Sequence, residues 1–264
     1  MRTRSAHSCT TAVGTPSWSA DVGAHGRLPV TALITPPRRR GFEYLDAPNV
    51  DPRLVRRSLA DVALANALFG GTRAVLLEID ELLPELADNA TLLDVGSGVG
   101  DIAARARDLA RRHRIELSLI TIDMAETLAV ASRARTGNAV RGDATALPFA
   151  DRSVDVVMCS QTLHHFDDDT AACVLRELDR VARVRVIISD LRRSWLAAAG
   201  LWVASFPLGF HPVSRHDGIV SIMRGYAGDE LRCLVASATG RAPIVRRRMG
   251  WRVTATWRPE PAAT

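Results

Sequence analysis

The chain has 264 residues, 47% of them apolar, which is enough to bury the core of one large domain with appendages. The formal charge is +5, yet every basic side chain is an arginine; this reads as compositional bias, so charge alone makes no case for a nucleic-acid partner. Cys9, Cys159, Cys173 and Cys233 lie far apart, with no CxxC pair and no histidine at ligand spacing, so neither a metal site nor a disulfide framework is indicated and a reducing cytoplasm is expected.

At the N-terminus, Gly14, Pro16, Asp21, Gly23 and Gly26 interrupt any secretory apolar core. Mixed Ser, Thr, Gly and Pro content, ending in Pro36-Pro37-Arg38-Arg39-Arg40, predicts a disordered tail over residues 1–45. Asp51-Pro52 then supplies an N-cap acceptor and a proline at the first helical position, and apolar spacing predicts a helix as far as Gly70-Gly71. A second helix is expected over 72–86, disturbed by Pro84 near its end.

From residue 91 short apolar runs alternate with amphipathic stretches: strands at 91–95, 117–122, 139–140, 154–159 and 184–189, helices at 102–112, 125–133 and 170–181. This order predicts a parallel sheet with helices on both faces. The apolar run 195–210, broken by Gly200 and Pro207, is shorter than the ~20 residues of a membrane span and reads as a buried helix or pocket lid, with Trp202 and Phe206 expected in an acceptor pocket. A helix over 229–238 closed by Gly240 is followed by apolar runs at 242–248 and 251–257 around Gly250, an antiparallel pair that a dinucleotide-binding dehydrogenase would not have.

Asp94-Val95-Gly96-Ser97-Gly98-Val99-Gly100-Asp101 sets three glycines between a strand and a helix, where a ligand can approach the backbone. Asp101 stands where a pyrophosphate binder would usually have its third glycine, so Asp94 and Asp101 suit a cationic ligand better than phosphate. Asp123 ends the second strand, where it could accept two ribose hydroxyls, and Met124 could cover an adenine face. Asp143, next to Ala144, follows the third strand, where it could accept an adenine amino group.

These segments resemble the successive motifs of class I S-adenosylmethionine-dependent methyltransferases. With Leu147-Pro148-Phe149, Ser153-Val154-Asp155-Val156-Val157 and Ser160-Gln161-Thr162-Leu163-His164-His165-Phe166, they are similar to the ubiquinone and menaquinone branch. Segments from Ser189-Asp190 onward are similar to methyltransferases encoded beside type III polyketide synthases. The resemblance implies an α/β, Rossmann-like seven-stranded sheet, mostly parallel with an antiparallel C-terminal hairpin, in a domain over 46–258 with a short tail at 259–264. It implies S-adenosylmethionine as cofactor, held by Asp94, Gly96, Ser97, Gly98, Gly100, Asp123, Met124, Asp143, Ala144 and Ser160. It also implies a small, hydrophobic phenolic, quinonoid or polyketide-like acceptor.

His164 and His165 follow the fourth strand, at the sheet edge where ligands bind, and either could take an acceptor proton. Some sugar O-methyltransferases resemble this chain in pairing such a histidine with an Asp after the fifth strand, which makes His164 and Asp190 the candidate catalytic pair. Arg192-Arg193 and Arg246-Arg247-Arg248 read as solvated faces. O-methylation is the first expectation; C-methylation and a non-catalytic cofactor-binding protein are the alternatives. Ser160-Gln161-Thr162 offers none of the motifs of nucleic-acid methylation.

Overall fold

The computed structural model describes residues 35–47 and 50–260. Asp51 caps α1 (Pro52–Leu68), its carboxylate accepting from the Arg53 amide at 2.8 Å. After Gly70, whose φ of +79° makes the turn, α2 runs over Gly71–Leu82. It stops short of the expected residue 86 because Pro84 sits in a 3₁₀ turn, Leu83–Glu85.

Seven strands form one sheet: β1 (Asn89–Val95), β2 (Glu116–Asp123), β3 (Ala139–Arg141), β4 (Val154–Ser160), β5 (Ala182–Leu191), β6 (Ile244–Arg248) and β7 (Arg252–Trp257), in the order β3-β2-β1-β4-β5-β7-β6. The first five are parallel; β7 lies between β5 and β6, antiparallel to both. Adjacent strand residues point to opposite faces, so Leu92, Val156 and Ile187 enter one core with α2 and α3 (Asp101–Arg112), while Leu93, Val157 and Ile188 enter the other with α5 (Asp168–Val181) and α8 (Gly228–Thr239). The helix α4 (Glu126–Thr136) packs beside β2 and β3. The seven-stranded, mostly parallel Rossmann-like sheet read from the sequence is the one observed.

Two helices cover the carboxyl ends of the strands. One, α6 (Trp195–Ser205), occupies the expected apolar run. The other, α7 (Pro212–Arg224), was not foreseen: its N-cap is His211, whose Nδ1 accepts from the Val213 amide at 3.3 Å, and its apolar residues make no strong stripe. Among the described residues no single helix is long and apolar enough to cross a membrane.

Residues 1–34 and 261–264 of the expected tails lie outside the described residues. The remainder of the N-terminal tail, residues 35–45, is docked. Pro36 O accepts from Arg193 Nε at 2.6 Å, Glu43 accepts from Ser221 Oγ at 2.8 Å and Arg224 Nη1 at 2.9 Å, and the Asp217 carboxylate caps the Tyr44 and Leu45 amides at 2.9 and 3.0 Å. Low periodic hydrophobicity hid this segment because polar bonds hold it. The reading of Arg193 as a solvated arginine is corrected for the same reason: it is 4% exposed, pairs with Glu230 and donates to Gly225 O.

Arg246 and Arg248 are likewise engaged, donating to Glu78 at 2.8 and 2.7 Å. Glu78 in α2 is buried and also accepts from Thr254, which ties the helix to β6 and β7. Glu78→Gln leaves two guanidinium groups short of their counter-charge, and the expected loss is about 3 kcal/mol of unfolding free energy by urea titration. A loss within ~0.5 kcal/mol, the range of ordinary surface changes, would show that the cluster contributes nothing.

Candidate active site

A cavity of about 850 Å³ opens at the carboxyl ends of the strands, beside the point where strand order reverses between β1 and β4. Its walls include Gly96, Ser97, Gly98, Asp123 and Met124 at one end and Leu59, Val62, Leu201, Ile222 and Trp251 at the other. His164, His165, Ser160 and Ala144 also line it.

The three glycines do different work. A Cβ on Gly98 would meet nothing within 4 Å, so this glycine faces open space; a Cβ on Gly96 would strike Thr162 at 2.3 Å, and one on Gly100 would strike Ser132 at 2.5 Å. Ligand approach explains Gly98 alone, while Gly96 and Gly100 are demanded by packing. Asp123 accepts from the Gly98 amide at 3.0 Å and the Ala125 amide at 3.0 Å, which fixes its carboxylate at the loop. Asp143 is exposed and does not line the cavity; it accepts from the Thr145 amide at 2.8 Å, a local turn bond.

Asp94 is 2% exposed, and burial, reinforced by the neighbouring charges of Asp101 and Asp123, pushes its carboxyl up to about 8. Asp123 is raised as well, burial outweighing its amide bonds. The Oγ atoms of Ser97 and Ser160 are buried with no hydrogen-bond partner among the described residues. A buried acidic group held protonated, orphaned hydroxyls and an open glycine fit a polar ligand that carries positive charge.

Toward the other end, His164 Nδ1 lies 2.6 Å from Asp190 Oδ1, with both side chains buried. Asp190 also accepts from the His164 amide at 3.0 Å and the Leu191 amide at 2.7 Å. Burial alone would raise Asp190; the charge and hydrogen bonds of His164 outweigh it and hold the carboxyl below its ordinary value. With Nδ1 committed, His164 Nε2 is left buried and without a partner.

The rings of His164 and His165 lie 4.3 Å apart, and His165 Nδ1 faces Asp46 at 3.4 Å and Glu43 at 3.8 Å. Burial works against the imidazolium of His165, but these two carboxylates prevail and raise it, while the bond from His165 holds Asp46 down at about 2. Glu43, His164 and His165 could be read as three metal ligands. Arg224 Nη1, 2.9 Å from Glu43 and 3.4 Å from His165 Nδ1, already supplies the positive charge there and opposes a dication.

Residues 93–188 match the model of a methyltransferase domain. An uncharacterized methyltransferase of Mycolicibacterium gilvum is 32% identical over 145 residues, covering 54% of this chain and 49% of that one. The ubiquinone/menaquinone biosynthesis C-methyltransferase of Dinoroseobacter shibae is 39% identical over 90 residues, covering 31% and 34%. Matched segments thus span about half or less of the curated relatives' length. In fold, the chain resembles a SAM-dependent methyltransferase of Aquifex aeolicus, with TM-score 0.54 at 17% identity over 80% of this chain and 100% of that one. The cofactor that goes with this domain and fold is S-adenosylmethionine.

The expectation that Trp202 and Phe206 line an acceptor pocket is corrected. Helix α6 does form a wall, through Ala197, Gly200 and Leu201, but Trp202 and Phe206 are 48% and 54% exposed on its other side, edge to face with one another. The residues missed were Glu43, in the supposed tail, Asp46, at the first position of the expected domain, and Arg252 on β7, which lines the cavity although it is only 5% exposed. The one available signal was a charged residue inside a strand-like run.

Asp94 makes a test of this electrostatic picture in the ligand-free protein. A carboxyl raised from 3.8 to about 8 on folding binds its proton more tightly in the native state, so its contribution falls as pH rises between those values. Asp94→Asn removes the titration. The melting temperature of the variant minus that of the wild type should grow from pH 5 to pH 8; a difference that stays constant would reject the raised value.

Proposed function

We propose that this protein transfers the methyl group of S-adenosylmethionine to an oxygen of a small, largely apolar acceptor, with His164 as general base. The observation that carries this reading is the buried His164–Asp190 pair, whose unpartnered Nε2 shares one cavity with the glycine loop. When bound, the cofactor supplies an already activated methyl group, so the protein has chiefly to orient the acceptor and exclude water.

On the cofactor side, Asp94 and Ser97 would answer the methionyl ammonium, with Gly96, Gly98 and Gly100 shaping the loop. Asp123 would accept the ribose hydroxyls, with Met124 and Ala144 beside the adenine and Ser160 closing the methionyl end; Asp143, outside the cavity, is left without a role there. On the acceptor side, Asp190 holds the Nδ1–H tautomer of His164 through the 2.6 Å bond, which leaves the Nε2 lone pair to receive a proton. The charge of Asp190 stabilises the imidazolium that results. Leu59, Val62, Leu201 and Ile222 form an apolar surround that suits an aromatic or polyketide-like body. C-methylation of the same acceptor class is the second reading, favoured by the name of the Dinoroseobacter shibae relative.

The test is methyl transfer to a panel of phenols, naphthols and hydroquinones, with products assigned as O- or C-methylated by NMR. His164→Gln and Asp190→Asn should lower kcat by roughly 10²- to 10⁴-fold, the usual worth of a general base, without changing S-adenosylhomocysteine affinity. The His164 variant should also lose the acidic limb of the pH–rate profile. An unchanged kcat in both variants removes the base; absence of cofactor binding by the wild type removes the whole reading.

A separate measurement addresses Asp94. Near pH 7 its carboxyl is protonated in the free protein, and an arriving ammonium favours the carboxylate. S-adenosylhomocysteine binding at pH 7 should therefore release a proton, seen as a buffer-dependent heat in calorimetry and abolished in Asp94→Asn. Equal heats in buffers of different ionisation enthalpy would show that Asp94 does not answer the ligand.

A further inference from the structure

Arg252 opens β7, opposite Leu191 of β5 and Arg248 of β6 in the sheet register. It is a cavity-lining residue that is nonetheless only 5% exposed. Its Nε is buried without a partner, and among the described residues its guanidinium makes no hydrogen bond or ion pair. Arg193, Arg224 and Arg248 are paired, by Glu230, by Glu43 and Asp46, and by Glu78 and Glu81; Arg192 also has a buried Nε without a partner, but unlike Arg252 it is not among the residues that line the cavity. Buried charges are ordinarily paired, because an unpaired ion in a low-dielectric setting is costly.

The nearby acid does not supply the pair. Asp190 lends Arg252 a favourable field, but its oxygens are already taken by His164 Nδ1, the His164 amide and the Leu191 amide. Burial is the larger effect and draws the guanidinium down to about 10, so it is still charged at neutral pH. Nor can the backbone that carries this side chain relocate cheaply, because the turn that precedes it is pinned. A Cβ on Gly250 would meet Phe69 O at 1.9 Å and one on Gly70 would meet Met249 O at 2.7 Å, so the turn and the α1–α2 junction pack backbone to backbone. The Trp251 carbonyl also accepts from the Arg192 amide at 2.8 Å.

We propose that Arg252 binds the acceptor, and that the acceptor is an aromatic or polyketide-like acid whose carboxylate pairs with this guanidinium. A carboxylate matches the planar fork of arginine and is ionised throughout the neutral range, which gives a buried cation a permanent counter-ion. The arrangement divides the work at this end of the cavity: Arg252 holds the acid group, the apolar wall holds the body, and His164 Nε2 is left for the hydroxyl. This rests on the methyltransferase reading for the role of the cavity, but the charge argument concerns Arg252 alone.

The experiment compares acids with their own amides, which keep shape and lose charge. Protein saturated with S-adenosylhomocysteine is titrated with benzoate, 4-hydroxybenzoate, 2-naphthoate and 3-hydroxy-2-naphthoate and with the amide of each, by calorimetry and thermal shift. At least one acid should bind roughly 10- to 100-fold more tightly than its amide, the factor that corresponds to a charged hydrogen bond. Arg252→Met should erase that preference and leave S-adenosylhomocysteine affinity unchanged, and Arg252→Lys should retain part of it. The lysine variant alone carries this arm if the methionine variant does not fold. A panel in which no acid exceeds its amide, whether both bind or neither does, overturns the proposal, as does a preference that persists in full in the variants. Failure of S-adenosylhomocysteine to bind would count against the methyltransferase reading, and the acid–amide comparison would then be read on the free protein.

Discussion

The Asp190 carboxylate is fully buried, and much of the site is organised by that fact. A buried anion must be surrounded by donors, and here the donors are the His164 ring, the His164 amide and the Leu191 amide. The first two draw the segment after β4 against the end of β5 and orient the imidazole. One ionised carboxylate thus closes the loop between two strands, selects a histidine tautomer and sets a negative potential in which Arg252 and His165 both lie. Any rearrangement that exposed Asp190 would undo all three.

Charge is distributed unevenly along the cavity. Near the glycine loop, Asp94, Asp101 and Asp123 repel one another and the first of them is held protonated, an arrangement that a cationic ligand relieves. Away from that loop lies the guanidinium of Arg252, which has no carboxylate partner among the described residues. The acids at the glycine loop favour a ligand group of positive charge, and Arg252 favours one of negative charge.

The strap formed by residues 35–46 connects this chemistry to stability. It buries Glu43, engages Arg193, Arg224 and Asp217, and carries Asp46 to His165. The matched domain begins at residue 93, so the carboxylates beside His165 come from a part of the chain outside it. A domain match alone covers the glycine loop and leaves out Leu59, Val62, Leu201, Ile222 and Trp251 of the cavity wall.

Local rules made much of this legible. Period-2 apolar runs, the Asp51-Pro52 cap, the glycine-rich turn after β1 and the acids at strand ends depend on neighbours within a few positions, so strand order, cofactor class and the candidate status of His164 could be read directly. Other features depend on distant partners. Arg193 is buried because Pro36 and Glu230 reach it from 157 and 37 residues away, and Glu43 because Ser221 and Arg224 do. Trp202 and Phe206 lie on the outer side of α6 because α6 and α7 pack together, and an all-round apolar helix carries no sign of which side will face inward. Arg252-Val253-Thr254-Ala255-Thr256-Trp257 alternates like a half-exposed strand; its insertion between β5 and β6, under α2 and α8, buries both faces and makes a cavity wall of its first residue. The sequence by itself determined the elements and the glycine-rich turn, because those follow from backbone and near-neighbour chemistry. Only the tertiary structure decided which charges would be buried together, because that depends on contacts between residues far apart in the chain.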